Sequence, residues 1–272
     1  MRKVIPEFVF RCVMRRVFLL FGVIASVMMR ALYINLRLPF VPNQKRANFR
    51  SLHQQKGAGT VCRILGLRIS VSGKLPSQGK MLLVCNHLGL YDSFVLASRL
   101  KVVLVAKDEM RNWPIAGWIC RTVGIVFVAR ERRMKTGSFV EQVQFHLQAG
   151  RSVLIFPEGT TSDGRTVQPF KTGGFEAVAG RSGERVLPLY LSVLSVADRP
   201  ADGAQRMKIS WTDPEESMAA NLWELLKLRR VHLQIRIGTP IATAALDRKE
   251  LAQRAHKSVC ALAAEESEPL TA

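Results

Sequence analysis

The sequence predicts an α/β fold: a mixed, mostly parallel sheet flanked by helices, preceded by a membrane-associated helical segment. Three observations carry this reading. Short runs rich in Val, Ile and Leu are continuous rather than alternating, as strands covered on both faces require. Helical stretches lie between them, so strand and helix take turns along the chain. The first 50 residues stand apart, being apolar and basic.

Taken in order, Val17–Met29 is an uncharged apolar run of 13 residues, clamped by Arg15-Arg16 and Arg30. That is short of the roughly 20 residues needed to cross a hydrocarbon core. A second apolar stretch, Ala31–Val41, is interrupted by Arg37 and closed by Pro39 and Pro42. A secretory signal fits poorly, because Arg11, Arg15 and Arg16 displace the apolar run from the N-terminus and no small-x-small cleavage site follows. The preferred reading is a pair of helices lying in the interface, their arginines snorkelling to phosphates; one tilted span is the alternative. Basic residues on both flanks give no orientation bias, which suits a segment that enters without crossing.

Asn43–Gly59 is polar and basic, a linker or a surface helix. Strand candidates follow at Leu67–Ser72, Met81–Cys85, Val102–Ala106, Gly124–Ala129, Ser152–Phe156, Val186–Val193, Met207–Trp211 and Val231–Ile237. Helical stretches are expected at Ser93–Leu100, Pro114–Thr122, Glu131–Gln148, Gly173–Ala179 and Glu215–Leu228, with an amphipathic tail helix at Leu246–Glu265. The organisation is then residues 1–50 as membrane-associating basic helices, 51–245 as the α/β domain and 246–272 as C-terminal helix and tail.

Charge and cysteine usage narrow the partners. The 272 residues hold 40 Lys and Arg against 21 Asp and Glu, a formal charge of +19, and no acid stands between Glu7 and Asp92. A polybasic first third predicts an anionic partner: a lipid surface, a nucleic acid or a polyphosphate. Five scattered cysteines without CxxC or Cys/His spacing argue against a disulfide framework and a metal site, and for a reducing compartment.

Chemistry gathers at strand ends. After Met81–Cys85 come Asn86-His87, a loop with Gly89, and Asp92 where a helical pattern opens. A strand end and a helix start bracketing a tight loop bring imidazole and carboxylate within hydrogen-bonding reach. Asp92 then fixes the tautomer of His87 and leaves the other nitrogen as a base, although an ordinary helix cap would also place Asp there. Gly124–Ala129 ends on Arg130, and Ser152–Phe156 runs into Pro157-Glu158-Gly159-Thr160-Thr161-Ser162. Val186–Tyr190 is interrupted by Pro188, which implies an edge, a bulge or a kink. Singly, each has a bland explanation: Arg130 begins a charged helix, and Pro-Glu-Gly-Thr is a turn. Ligands of open α/β sheets sit at the carboxyl ends of strands, which gives their convergence a geometric reason.

These four segments, in this order, resemble those of the glycerolipid acyltransferase family, most nearly bacterial 1-acylglycerol-3-phosphate acyltransferase. Asn86, His87 and Asp92 match its first motif; Gly124, Phe127 and Arg130 the second; Phe156–Thr160 with Ser162 the third; and the Pro188 strand the fourth. Lys107-Asp108-Glu109-Met110 and Phe170-Lys171-Thr172-Gly173 are similar to two further family stretches. The resemblance covers about residues 60–240. It implies a glycerol-3-phosphate acyltransferase-like fold and an acyl transfer from acyl-coenzyme A or acyl-carrier protein to a lysolipid hydroxyl, with no other cofactor and no metal. His87 would be the general base and Asp92 its orienter. Arg130 and Lys107 would hold an acceptor phosphate. Asn86, Glu158, Gly159, Thr160, Thr161 and Lys171 would line the substrate site, with Pro188 bordering the acyl donor.

The expected acceptor is 1-acylglycerol-3-phosphate, giving phosphatidic acid; lyso-ornithine lipid or another lysophospholipid is the alternative. A covalent acyl-enzyme is not required, since the chain has no G-x-S-x-G elbow and Cys85 reads as core. The membrane face would be cytoplasmic, with anionic lipids as partners. Two readings of other classes are a non-catalytic basic membrane protein and a nucleic-acid binder; at 7% aromatic, the latter lacks stacking surface, and nucleic acid is not expected as a partner.

Overall fold

The computed structural model describes residues 7–76, 80–128, 136–213, 215–228 and 230–265. It opens with a 31-residue helix, α1 (Glu7–Arg37), then a single 3₁₀ turn at Leu38–Phe40 and a second helix, α2 (Asn43–Ile64). The expected break at Arg30 is absent. Nothing between Val17 and Arg37 disfavours helix strongly, and the first breaker is Pro39, which sits in the turn. The polar stretch Asn43–Gly59 is helix rather than linker, so residue 50 lies mid-helix. The two helices fold back on one another: Ile64 approaches Gly22, Arg30 crosses Gly57, and Tyr33 stacks on Phe49.

α1 is two-faced. Leu19, Leu20, Val23 and Val27 pack on the core, and Ala31 and Ile34 are buried. On its other side Phe18, Phe21, Met29 and Leu36 are exposed, followed by Phe40, 83% exposed, in the turn. Within Val13–Phe40 an 18-residue window reaches a mean hydropathy of 2.2 with 11% of it buried, so this helix is long and apolar enough to cross a membrane.

Beyond it come β1 (Leu67–Ser72), β2 (Leu82–Cys85), α3 (Asp92–Arg99), β3 (Val102–Lys107), α4 (Ala116–Val123), β4 (Val126–Val128), α5 (Thr136–Gln148) and β5 (Ser152–Ile155). After a 3₁₀ segment at Thr172–Ala177 follow β6 (Arg185–Val196), β7 (Arg199–Pro200), α6 (Gly203–Ile209), α7 (Met218–Leu225), β8 (Val231–Ile237), β9 (Ile241–Ala242) and α8 (Arg248–Ala264). The sheet runs β1-β8-β6-β2-β5-β3-β4, with β7 and β9 also on β6. The five strands β6, β2, β5, β3 and β4 are mutually parallel; β8 runs against β6, and β1 follows β8. This is a mixed, mostly parallel sheet with helices on both faces.

β2 shows why its apolar run is continuous. Leu83 and Cys85 belong to the core under α1, α2 and α3, while Leu82 and Val84 belong to the core under α5 and α8. All four are buried, each worth roughly 1.5–3 kcal/mol for the larger side chains. Burial on both faces fixes β2 at the centre, and with it the loop that leaves its carboxyl end.

Two expectations are corrected. Met207–Trp211 is not a strand: α6 runs to Ile209, started by a capping box in which Asp202 accepts from the Gln205 N–H and Gln205 returns the bond. The local alternation of apolar and polar residues was outweighed by that cap. Pro188 is at neither an edge nor a break, because β6 is interior and continuous. β9 pairs with β6 at Arg185 and Val186, and β8 takes over from Leu189. Pro188 falls in the gap, its carbonyl accepting from Gly238 N, so the missing N–H costs the ladder nothing on the β2 side. The early part of the expected Glu131–Gln148 helix, and Arg130 with it, lies outside the described residues.

Candidate active site

β2 and β5 are neighbours in register, Val84 opposite Ile155, so the loops leaving their carboxyl ends lie side by side. The β2 loop begins with Asn86, which is fully buried. Its amide donates to Leu191 O (2.9 Å) and accepts from Leu191 N (2.7 Å), tying the end of β2 to β6. Asn86 thus sets the level at which the loop leaves the sheet.

His87 follows. Its Nδ1 lies 2.7 Å from Asp92 Oδ2, and the imidazole stacks on Phe156 at 4.1 Å between centroids, with 13° between the planes. The His87 side chain is 20% exposed and that of Asp92 fully buried. Asp92 is not the cap of its own helix. The same Oδ2 accepts the N–H groups of Leu88 (2.6 Å) and Gly89 (3.0 Å), so the carboxylate ties together the loop that precedes it. With Nδ1 held and the ring clamped on one face, Nε2 is the nitrogen left for chemistry. Assigning the proton to Nδ1 follows from its carboxylate partner.

The β5 loop packs behind. Ser162 N donates to His87 O (2.8 Å), and Gly159 N donates to Phe156 O to close a tight turn. Gly159 has φ +72°, and a Cβ there would sit 2.5 Å from Lys171 Nζ; the exposed Lys171 lies directly over the turn because residue 159 is glycine. Thr160 is exposed at the rim, while Thr161 is half-buried and gives its hydroxyl to Trp211 O. Glu158 is buried, with both carboxylate oxygens lacking a well-formed hydrogen bond. Burial pushes its pKa up to about 8; Ser162 and the backbone at Gln168 and His87 pull the other way, with nearby Asp92 a minor upward influence. Burial therefore favours the neutral, protonated form of Glu158.

Cys85, the thiol nearest His87 in sequence, is fully buried and its pKa is driven well up by desolvation and by the neighbouring Asp92 and Glu158. It is core, unsuited to nucleophilic attack. Lys107 closes β3 opposite Val128 of β4, two residues before Arg130. Pro188 lies beside Val84 within the sheet, three residues below His87. The structure thus brings His87, Asp92, Glu158, Gly159, Thr161 and Lys171 to two adjacent loops, while Asn86 and Pro188 serve the sheet. Among the described residues no group of His, Cys, Asp and Glu is arranged to hold a metal.

A buried carboxylate, an oriented imidazole and a Phe-Pro-Glu-Gly-Thr turn at neighbouring strand ends can be compared with known proteins. The acyltransferase family profile matches residues 68–192, spanning this whole assembly. A lyso-ornithine lipid O-acyltransferase of Brucella abortus is 36% identical over 209 residues, 74% of this chain and 78% of that protein. The chain belongs to the acyltransferase family. This acyltransferase is also 26% identical over 212 residues to a 1-acyl-sn-glycerol-3-phosphate acyltransferase of Neisseria meningitidis, 76% of this chain and 79% of the other. Its fold matches the crystal structure of the 1-acyl-sn-glycerophosphate (LPA) acyltransferase PlsC of Thermotoga maritima, with a TM-score of 0.71 over 97% of this chain and 99% of that one, at 17% identity.

Two contacts that build the site in this acyltransferase are not legible in its sequence. Phe156 ends a strand and opens the third motif, but nothing in the sequence marks its ring as the platform for His87. Trp211 ends the expected strand Met207–Trp211, yet its backbone N–H reaches Leu88 O at 2.8 Å. The Phe156 contact follows from β2 and β5 being adjacent, which periodicity does not encode. Trp211 is more than a hundred residues from the loop it touches.

Proposed function

We propose that this acyltransferase carries an acyl group from a thioester donor to the free hydroxyl of a lysolipid, with His87 as general base. The observation that carries this is the 2.7 Å contact between His87 Nδ1 and buried Asp92, which leaves Nε2 unencumbered beside the Phe156–Thr160 turn. Nε2 takes the proton from the acceptor hydroxyl as its oxygen attacks the thioester carbonyl. The tetrahedral intermediate collapses, the thiolate leaves, and the imidazolium returns the proton to sulfur. Asp92 steadies the transient positive charge. Base catalysis of this kind contributes on the order of 10²–10⁴ in rate, so positioning of both substrates supplies much of the rest. The exposed Thr160 and Lys171, with Lys107 and Arg130, are the candidates for the polar head group and the donor phosphates.

For the acceptor, the higher identity to a lyso-ornithine lipid O-acyltransferase supports lyso-ornithine lipid ahead of the 1-acylglycerol-3-phosphate expected from the motifs. The donor is acyl-coenzyme A or acyl-carrier protein. Attachment is monotopic, on the cytoplasmic face: α1 has one side on the protein core and only the other apolar side free for lipid.

Purified protein assayed against a panel of lysolipids with both donor types, read by lipid mass spectrometry, tests the whole reading. Acylation of lyso-ornithine lipid is expected to exceed that of 1-acylglycerol-3-phosphate; the reverse order would overturn the acceptor assignment alone. His87→Ala should abolish turnover, and full activity in that variant would refute the base.

A further inference from the structure

The loop that carries His87 leaves the sheet after Cys85, so its own carbonyls are no longer paired by a neighbouring strand. Two of them are claimed by different segments. His87 O accepts from Ser162 N and Leu88 O accepts from Trp211 N, each at 2.8 Å. Between those two donors runs one more bond, from the Thr161 hydroxyl to Trp211 O. The three bonds close a ring through His87-Leu88, Trp211 and Thr161-Ser162. Thr161 contributes the only side chain in it.

The Trp211 side of the ring is itself anchored. Ile209 and Ser210 are buried beneath it, and the Trp211 indole N–H donates to Glu216 O at 2.8 Å. Beyond lies α7, gripped from the other side by α1: Arg15 Nη1 donates to Leu226 O (3.3 Å), and the Arg16 guanidinium lies 5.3 Å over the Trp223 ring. A short segment thus runs from the apolar N-terminal helix to the backbone beside the base.

We propose that Thr161 is a positioning residue that sets the His87 loop through the main chain of Trp211, and not a contact to substrate. The inference rests on His87 acting as the base. Its donor hydrogen is committed to Trp211 O, and its half-buried side chain faces that segment rather than the open rim where Thr160 stands. Without the hydroxyl, Trp211 O is left unpaired and the Leu88 end of the loop loses one wall of its support, a 1 Å tolerance being enough to matter for proton transfer.

The test compares Thr161→Val, which keeps the shape, with Thr161→Ser, which keeps the hydroxyl, in full-length protein with the acceptor and donor identified by the lipid panel. T161V should lower kcat by about 3- to 10-fold, the loss of one hydrogen bond, with KM for both substrates nearly unchanged; T161S should recover most of it. Amide exchange at Leu88 and Gly89 should speed up in T161V alone. A rise in acceptor KM with kcat preserved would make Thr161 a substrate contact and overturn the proposal. So would equal kcat in both variants. If T161V is too unstable to assay, Thr161→Ala read by the same exchange and kinetics decides in its place. An active His87→Ala enzyme would instead sink the base assignment, a failure distinct from either Thr161 result.

Discussion

His87 lies flat against Phe156, 13° between the rings, and this contact joins the two strand-end loops at the reacting residue. It holds the imidazole on one side while Asp92 holds it at Nδ1, so the ring has neither tilt nor rotation free. Aromatic pairs contribute about 0.5–1.5 kcal/mol beyond area. Phe156→Leu should therefore lower kcat by roughly 2- to 10-fold while leaving KM close to wild type, and Phe156→Tyr should be milder. Steady-state kinetics on both variants checks this; an unchanged kcat in F156L would show that Asp92 orients the base alone.

Gly164 gives a second handle on the same loop. It has φ +73°, and a Cβ there would fall 2.5 Å from Leu88 Cδ2, while its carbonyl accepts from the Tyr190 hydroxyl at 3.0 Å. Gly164→Ala must therefore adopt a left-handed backbone and displace Leu88, the residue next to the base. We expect a destabilisation of about 1–2 kcal/mol and a fall in kcat larger than the stability loss explains. Thermal melts and kinetics at a temperature where the variant is fully folded separate the two effects.

What the sequence encodes legibly differs by scale. The strands Leu67–Ser72 and Val231–Ile237 have the bounds the sequence suggests: Gly66 and Gly73 bracket the first, and Gly238 closes the second. Imidazole and carboxylate could be paired from spacing because both lie in one short loop. What escaped were relations set by sheet order: Phe156 under His87, Trp211 on Leu88, and Pro188 in the gap between β9 and β8. Asp at a helix start suggests a cap, but the Asp92 oxygen turns back to the Leu88 and Gly89 amides. The single long α1 is hard to read from sequence because an arginine inside an apolar run looks like a boundary, although arginine is a good helix former.

The outer face of α1 makes a prediction about location. Phe18 and Phe21 are 67% and 70% exposed and share that face with Met29 and Leu36. Buried in lipid, each large apolar side chain is worth roughly 1.5–3 kcal/mol, so replacing both phenylalanines by serine should weaken vesicle binding by well over ten-fold. Flotation with anionic vesicles measures this. Leu20 and Val27 face the protein core instead, so their serine variants should lower the melting temperature. Equal vesicle binding by the F18S/F21S protein would exclude α1 as the lipid contact.

Glu158 sets a pH dependence whose direction is fixed by its burial. Its carboxyl titrates near 8 in the folded chain, against about 4.3 when unfolded. Below the unfolded value both states are protonated and nothing is lost. As pH rises above it, the unfolded chain releases its proton while the folded chain keeps one, so the folded state becomes progressively less favoured until Glu158 itself ionises near 8. Glu158→Gln removes that proton and mimics the neutral acid. Its stability relative to wild type should therefore grow between pH 5 and 8, by a few kcal/mol at the upper end, and level off beyond. Denaturant melts of both proteins across that range provide the measurement. A pH-independent difference would mean that Glu158 ionises at an ordinary carboxylate value in the folded protein despite its burial.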